Sequence, residues 1–165
     1  MRTLLLLFLF SFVSSALTAQ EPARKVAVTF DDLPTVNLVD TSDAGRRTMT
    51  LSLLKTLADR RIPAIGFVNE RQLSENDELV DERADLLRLW LAAVLSLGYH
   101  SYSHPDLHKV PLKDFQVDVL RGERVTRELL AEYERQPQFF RHPFLHTGTD
   151  LETKRSLENF LAEHS

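Results

Sequence analysis

The chain contains no cysteine in its 165 residues. That excludes disulfides as a source of stability, and it excludes a lipid-modified cysteine behind an apolar leader. Positive charge is not in excess either: 20 Lys and Arg stand against 24 Asp and Glu, giving a formal net charge of −4. Phosphate backbones are held by clustered Lys and Arg, so this balance argues against nucleic acid as a partner. No internal repeat and no low-complexity linker divides the chain. The one strongly apolar run, Leu4 to Val13, is shorter than the about 20 residues that a membrane-spanning helix needs.

That run has the layout of a secretory signal peptide. Arg2 supplies the positive start, the apolar stretch follows, and Ser14, Ser15, Ala16 and Ala19 offer small residues for cleavage. The expected division is a leader over residues 1–19 and a mature domain over residues 20–165, with an uncleaved anchor as the alternative. The mature chain is then exported, periplasmic or secreted, with no stable membrane span after cleavage. Lacking disulfides, it relies on its core and on any metal that it binds.

From Lys25 onward the pattern alternates between short apolar runs and helical periodicity. Val26 to Phe30 reads as a strand buried on both faces, followed by Met49, Leu53, Leu54 and Leu57 at helical spacing. Ala64 to Val68 is a second strand. Leu86 to Leu97 forms an amphipathic helix closed by Gly98, and Tyr99 to Ser103 is a third strand or strand end. One helix runs from Leu112 to Tyr133, Phe139 to Arg141 starts a fourth strand, and Thr149 with Glu152 makes a capping box for a last helix. Four β–α units in succession mean a parallel sheet covered by helices, either doubly wound or part of a (β/α) barrel. In both, chemistry gathers at the C-terminal ends of the strands.

The unusual residues fall at those ends. Asp31 and Asp32 follow the first strand as adjacent carboxylates, costly to place there without a cation or solvent. His100 and His104 follow the third, and at i and i+4 they share one face of a helical turn, close enough for one metal. In an extended strand they would lie about 13 Å apart, so the chain must already coil there. His108 repeats the spacing, but Pro105 turns the chain away and His108 reads as surface loop. Arg141 ends the fourth strand, where it can orient a carboxylate through bidentate hydrogen bonds. One Asp and two His suit a catalytic zinc-type centre with a position left for water, and the second Asp remains as a base.

The ordered set resembles the polysaccharide deacetylases, the NodB-homology proteins of carbohydrate esterase family four. Val26 to Pro34 (VAVTFDDLP) is similar to the first family motif and Gly98 to Leu107 (GYHSYSHPDL) to the second, with Tyr99 in place of the usual Asn. Phe140 to Gly148 (FRHPFLHTG) is similar to the third, with Leu145 where the family often has Gly. The resemblance implies a part of a distorted seven-stranded barrel, with about four β/α units present. It assigns Asp32, His100 and His104 to a divalent metal, zinc or else cobalt, nickel or iron. It makes Asp31 the catalytic base, Arg141 its orienting partner, and the Phe144 backbone N–H a donor to the oxyanion. The implied reaction is hydrolysis of N-acetyl groups on an extracellular acetylated glycan, releasing acetate. Nothing after Gly148 matches the family's later motifs, and His164, in a plain amphipathic helix, is not assigned the role of acid. The expectation is therefore an N-terminal part of the domain whose open sheet edge calls for a covering partner. The alternative function is a non-catalytic or weakly active carbohydrate-binding fragment without the general-acid motif.

Overall fold

The computed structural model describes residues 24–34, 40 and 42–164. The leader expected over residues 1–19 lies outside these. In chain order the elements are β1 (Val28–Leu33), α1 (Asp43–Asp59), β2 (Ala64–Val68), a 3₁₀ turn (Glu70–Leu73), and the short strands β3 (Ser74–Glu75) and β4 (Glu78–Leu79). Then come α2 (Asp81–Ala92), β5 (Ser96–Tyr99), α3 (Leu112–Arg121), α4 (Arg124–Glu132), a second 3₁₀ turn (Pro143–Leu145) and α5 (Leu151–His164). No helix among the described residues is long and apolar enough to cross a membrane.

β1, β2 and β5 form a parallel sheet in that order, with Val28 opposite Ala64 and Val68 opposite Tyr99. β2 is buried almost throughout, as an apolar strand covered on both faces must be. α1, α2 and α4 pack on the sheet through Leu54, Leu57, Leu87, Trp90, Leu91, Leu129 and Leu130. A second cluster joins α3 to α5 through Phe115, Val119 and Leu157, and Phe140, Phe160 and Leu161 pack against it.

Several boundaries differ from the sequence reading. β1 runs on through Asp31 and Asp32, and its register to β2 shifts between Phe30 and Leu33. The carboxylate pair therefore sits in a bulge, where the extra residue re-aims side chains, rather than beyond the strand. α2 ends at Ala92, because Val94 takes a positive φ of 61° and the chain turns there into β5. Gly98 is thus a strand residue and not a helix cap. A Cβ at Gly98 would lie 2.8 Å from the Phe139 carbonyl oxygen, so glycine lets the Phe139 to Arg141 segment approach. That segment makes only a single bridge, Phe140 to Tyr99, because Pro143 ends the extended run. Beside it lies an apolar groove lined by Tyr99, Val119, Phe139, Phe140, Phe160 and Leu161.

The single helix expected from Leu112 to Tyr133 is broken into α3 and α4 at Gly122. There α4 begins on a buried carboxylate: Glu70 accepts the N–H groups of Val125 at 3.1 Å and Thr126 at 2.7 Å. These satisfy helix-terminal donors that have no partner within the helix. Burial pushes the Glu70 carboxyl above its ordinary pKa, while the Thr126 and Val125 bonds pull it down. Met49 is exposed and Thr50 takes its place on the inner face of α1. At α5, Asp150 rather than Thr149 caps, accepting the Thr153 N–H at 2.8 Å.

Gly122 also abuts the backbone of Ser101 and Tyr102, the turn between the two histidines, where a Cβ would collide with main-chain atoms. Main chain cannot swing aside as a flexible side chain can. Gly122→Ala should therefore cost about 1–3 kcal/mol in urea unfolding. An unchanged midpoint would show that the turn yields freely.

Candidate metal centre

β1, β5 and the Phe139 to Arg141 segment all end on one side of the sheet, which brings the distant motifs together. His100 is the first residue after β5 and is 2% exposed. Its Nδ1–H donates to the Arg141 carbonyl at 2.8 Å, which turns Nε2 toward Asp32. His100 Nε2 lies 3.9 Å and His104 Nε2 3.7 Å from Asp32 Oδ1. Two ligands of one tetrahedral zinc stand about 3.3 Å apart, so a small contraction would complete the set. One donor atom from each of Asp32, His100 and His104 lies within 4.8 Å of the others. The set fits a divalent ion in donor type, number and spacing.

The two histidines meet by a route other than a helical turn. Ser101 and His104 have positive φ of 66° and 59°, and the rings close edge to face at 4.7 Å. Asp118 of α3 holds this turn by accepting the N–H groups of Tyr102 at 2.9 Å and Ser103 at 3.0 Å, and the Ser103 hydroxyl at 2.6 Å. The local sequence alone would not close the turn. A carboxylate from another element does so.

Arg141 reaches Asp31 through one nitrogen rather than as a fork. Its Nη1 donates to Asp31 Oδ1 at 2.9 Å and to Thr29 Oγ1 at 3.1 Å, while the guanidinium lies 4.3 Å over the Phe67 ring. The Thr29 hydroxyl and the face of the Phe67 ring together hold the arginine in place. Phe144 sets its ring 4.7 Å from that of His104. Phe144 and Leu145 have positive φ of 56° and 59°, a conformation that glycine takes without cost. Leu145 thus adopts the backbone that the family's Gly would favour.

Three supporting residues escaped the sequence reading. Asn69 donates to Asp32 Oδ1 at 3.3 Å, Asp118 holds the turn, and Thr29 supports Arg141. Asn69 had a signal, since it directly follows the buried strand β2. Asp118 had none, being one more polar residue on an amphipathic helix. His108 is exposed, as read, and lies apart from this centre beside Asp106 and His146. His164 ends α5 with its Nδ1–H donating to the Phe160 carbonyl at 2.7 Å.

The polysaccharide deacetylase family profile matches residues 18–159. The chain belongs to that family. Among solved structures it is similar to a family 4 carbohydrate esterase from Streptomyces lividans in complex with acetate, at 24% identity and TM-score 0.58, covering 81% of this chain and 57% of that one. It is also similar to the peptidoglycan deacetylase PdaC from Bacillus subtilis, at 22% identity and TM-score 0.57, covering 79% and 52%. A family 4 acetyl xylan esterase from Clostridium thermocellum, in complex with a cobalt ion, matches at 21% identity and TM-score 0.54, again covering 79% and 52%. The chain thus spans about half the length of the structures that it matches. Its fold is theirs, a parallel sheet with helices that forms part of a (β/α) barrel.

Burial holds the imidazoles of His100 and His142 below their ordinary pKa. For His100 the Arg141 carbonyl and Asp32 oppose that effect, and for His142 Glu158 does. Both are therefore preferred neutral in the folded chain, and their contribution to stability is complete above the unfolded value of about 6.5. As pH falls through 6.5 toward the lower folded values, the unfolded chain gains protons that the folded chain refuses, and stability declines. Urea midpoints taken in chelator from pH 8 to 5 should fall on that acid side, and His142→Gln should flatten the slope. A slope unaltered by that change would remove His142 from the account.

Proposed function

We propose that the chain carries the metal-binding and proton-accepting half of a hydrolase that removes N-acetyl groups from an extracellular glycan of the N-acetylglucosamine type. The products are acetate and a free sugar amine. The observation that supports this reading best is the pairing of two arrangements at one rim. Asp32, His100 and His104 converge on one point, and Asp31 is held beside them by Arg141.

Asp32, His100 and His104 hold the ion, with zinc suited to the donors and cobalt, nickel or iron also compatible. A divalent ion there supplies Lewis acidity toward water and the acetyl carbonyl. Asp31 accepts the proton of the attacking water. Arg141 keeps Asp31 aimed through its charged hydrogen bond. The Phe144 N–H donates to the oxyanion that develops as the carbonyl carbon becomes tetrahedral. His100 keeps Nε2 free for the ion because its other nitrogen is committed to the Arg141 carbonyl. Export through the leader over residues 1–19 brings the chain to glycan outside the cytoplasm.

The test is acetate release from N-acetylated chitooligosaccharides and peptidoglycan fragments, with zinc binding followed in parallel. Asp31→Asn should cut acetate release by about 100-fold or more while zinc remains bound. Asp32→Ala should lose the ion at this centre and the activity with it. Zinc binding together with retention of either glycan but no acetate release would instead assign the chain as a carbohydrate-binding module.

A further inference from the structure

A second set of metal-ligand type lies on the same rim and shares no residue with the first. Donor atoms of Asp106, His108 and His146 fall within 4.8 Å of one another. We propose that these three residues form a second divalent-cation site of zinc type, which ties the loop after His104 to the loop that carries Phe144.

The donors repeat the composition of the first centre, one carboxylate and two imidazoles, which suits zinc. The carboxylate is already fixed. The Asp106 side chain is only 9% exposed, and its Oδ1 accepts the backbone N–H of His108 at 2.9 Å. The Asp106 carbonyl accepts the N–H groups of Lys109 at 2.8 Å and Val110 at 3.1 Å, closing a turn that presents Asp106 and His108 together. The third donor comes from the other loop: His146 Nδ1 lies 2.7 Å from Asp106 Oδ1. An imidazole bonded to a carboxylate can exchange its shared proton for a metal ion. The two atoms then need only separate to about 3.3 Å, the spacing of two tetrahedral ligands.

His108 completes the set by a rotation. Its Nε2–H donates to the Gly148 carbonyl at 3.0 Å, and its ring stacks on His146 with 3.8 Å between centroids and 6° between planes. An ion lies in the plane of each imidazole that binds it, so two parallel rings cannot share one as they stand. His108 is the exposed member and can turn by giving up that single bond. The Lys109 ammonium, 3.3 Å from Asp106 Oδ2, is 79% exposed, and such surface pairs are weak competitors.

The site has a consequence for the first centre. The Phe144 ring neighbours both His104 and His146, with centroids 4.7 Å and 5.9 Å away. Its loop is closed by two short turns, Leu145 N–H to the His142 carbonyl and His146 N–H to the Pro143 carbonyl. An ion on His146 and Asp106 would anchor that loop from outside.

The experiment is calorimetric titration of zinc chloride into the full chain, run also on Asp32→Ala, His108→Ala and the double variant. Circular dichroism checks that each is folded, and exposed His108 is the substitution least able to disturb the fold. Two equivalents are expected for the unaltered chain, one for each single variant and none for the double. In Asp32→Ala, zinc should shift the ring nitrogen resonances of both His108 and His146. The site is overturned if folded Asp32→Ala binds no zinc, or if adding His108→Ala leaves its affinity within about twofold. Because these readings are taken without Asp32, they stand or fall separately from the proposed hydrolase centre.

Discussion

A buried imidazole is expensive unless its polar atoms are partnered, and His100 commits its Nδ1–H at the junction of three chain segments. Its Nδ1–H is spent on the Arg141 carbonyl, so β5 and the Phe139 to Arg141 segment cannot drift apart without leaving a buried donor unpaired. The same contact sets the ring so that Nε2 faces Asp32 on β1. It also keeps Arg141 where its guanidinium can reach Asp31. One hydrogen bond therefore positions a metal-ligand candidate and the partner of the candidate base together.

The backbone around His100 is held against its preferences. Asp32, Ser101, His104, Phe144 and Leu145 all have positive φ, and none is glycine. Each such residue costs on the order of 1–2 kcal/mol, and strain of this kind persists only where surrounding structure over-determines it. Here that structure is identifiable. The β1 bulge is pinned by β2, the His100 to His104 turn by the Asp118 carboxylate, and that turn is approached closely by Gly122. Glu70, hydrogen-bonded to the start of α4, ties the end of β2 to the helix behind the same turn.

The β–α alternation was legible in the sequence, because apolar runs of strand length mark a parallel sheet, and so was the placing of His100 directly after a strand, whereas Asp31 and Asp32 lie in a bulge inside β1. Boundaries were less so. Gly98 after an amphipathic run looks like a helix cap, yet it serves the close approach of Phe139. Leu112 to Tyr133 keeps its periodicity across Gly122, so the break into α3 and α4 leaves no trace in the pattern. The His spacing pointed to a helical turn, whereas left-handed residues bring the rings together.

Local chemistry written in the sequence therefore determined which residue types stand at the ends of which strands, and with them the family. The contacts among those residues were decided only by tertiary structure. Asp118, Asn69 and Thr29 act across gaps of 15, 37 and 112 residues. Nothing in a chain's own neighbourhood encodes such distant bonds. The stacking of His108 on His146, from loops that the sequence treats as unrelated, is of the same kind. Side-chain identity is a property of position in the chain, but a shared ion or hydrogen bond is a property of position in space.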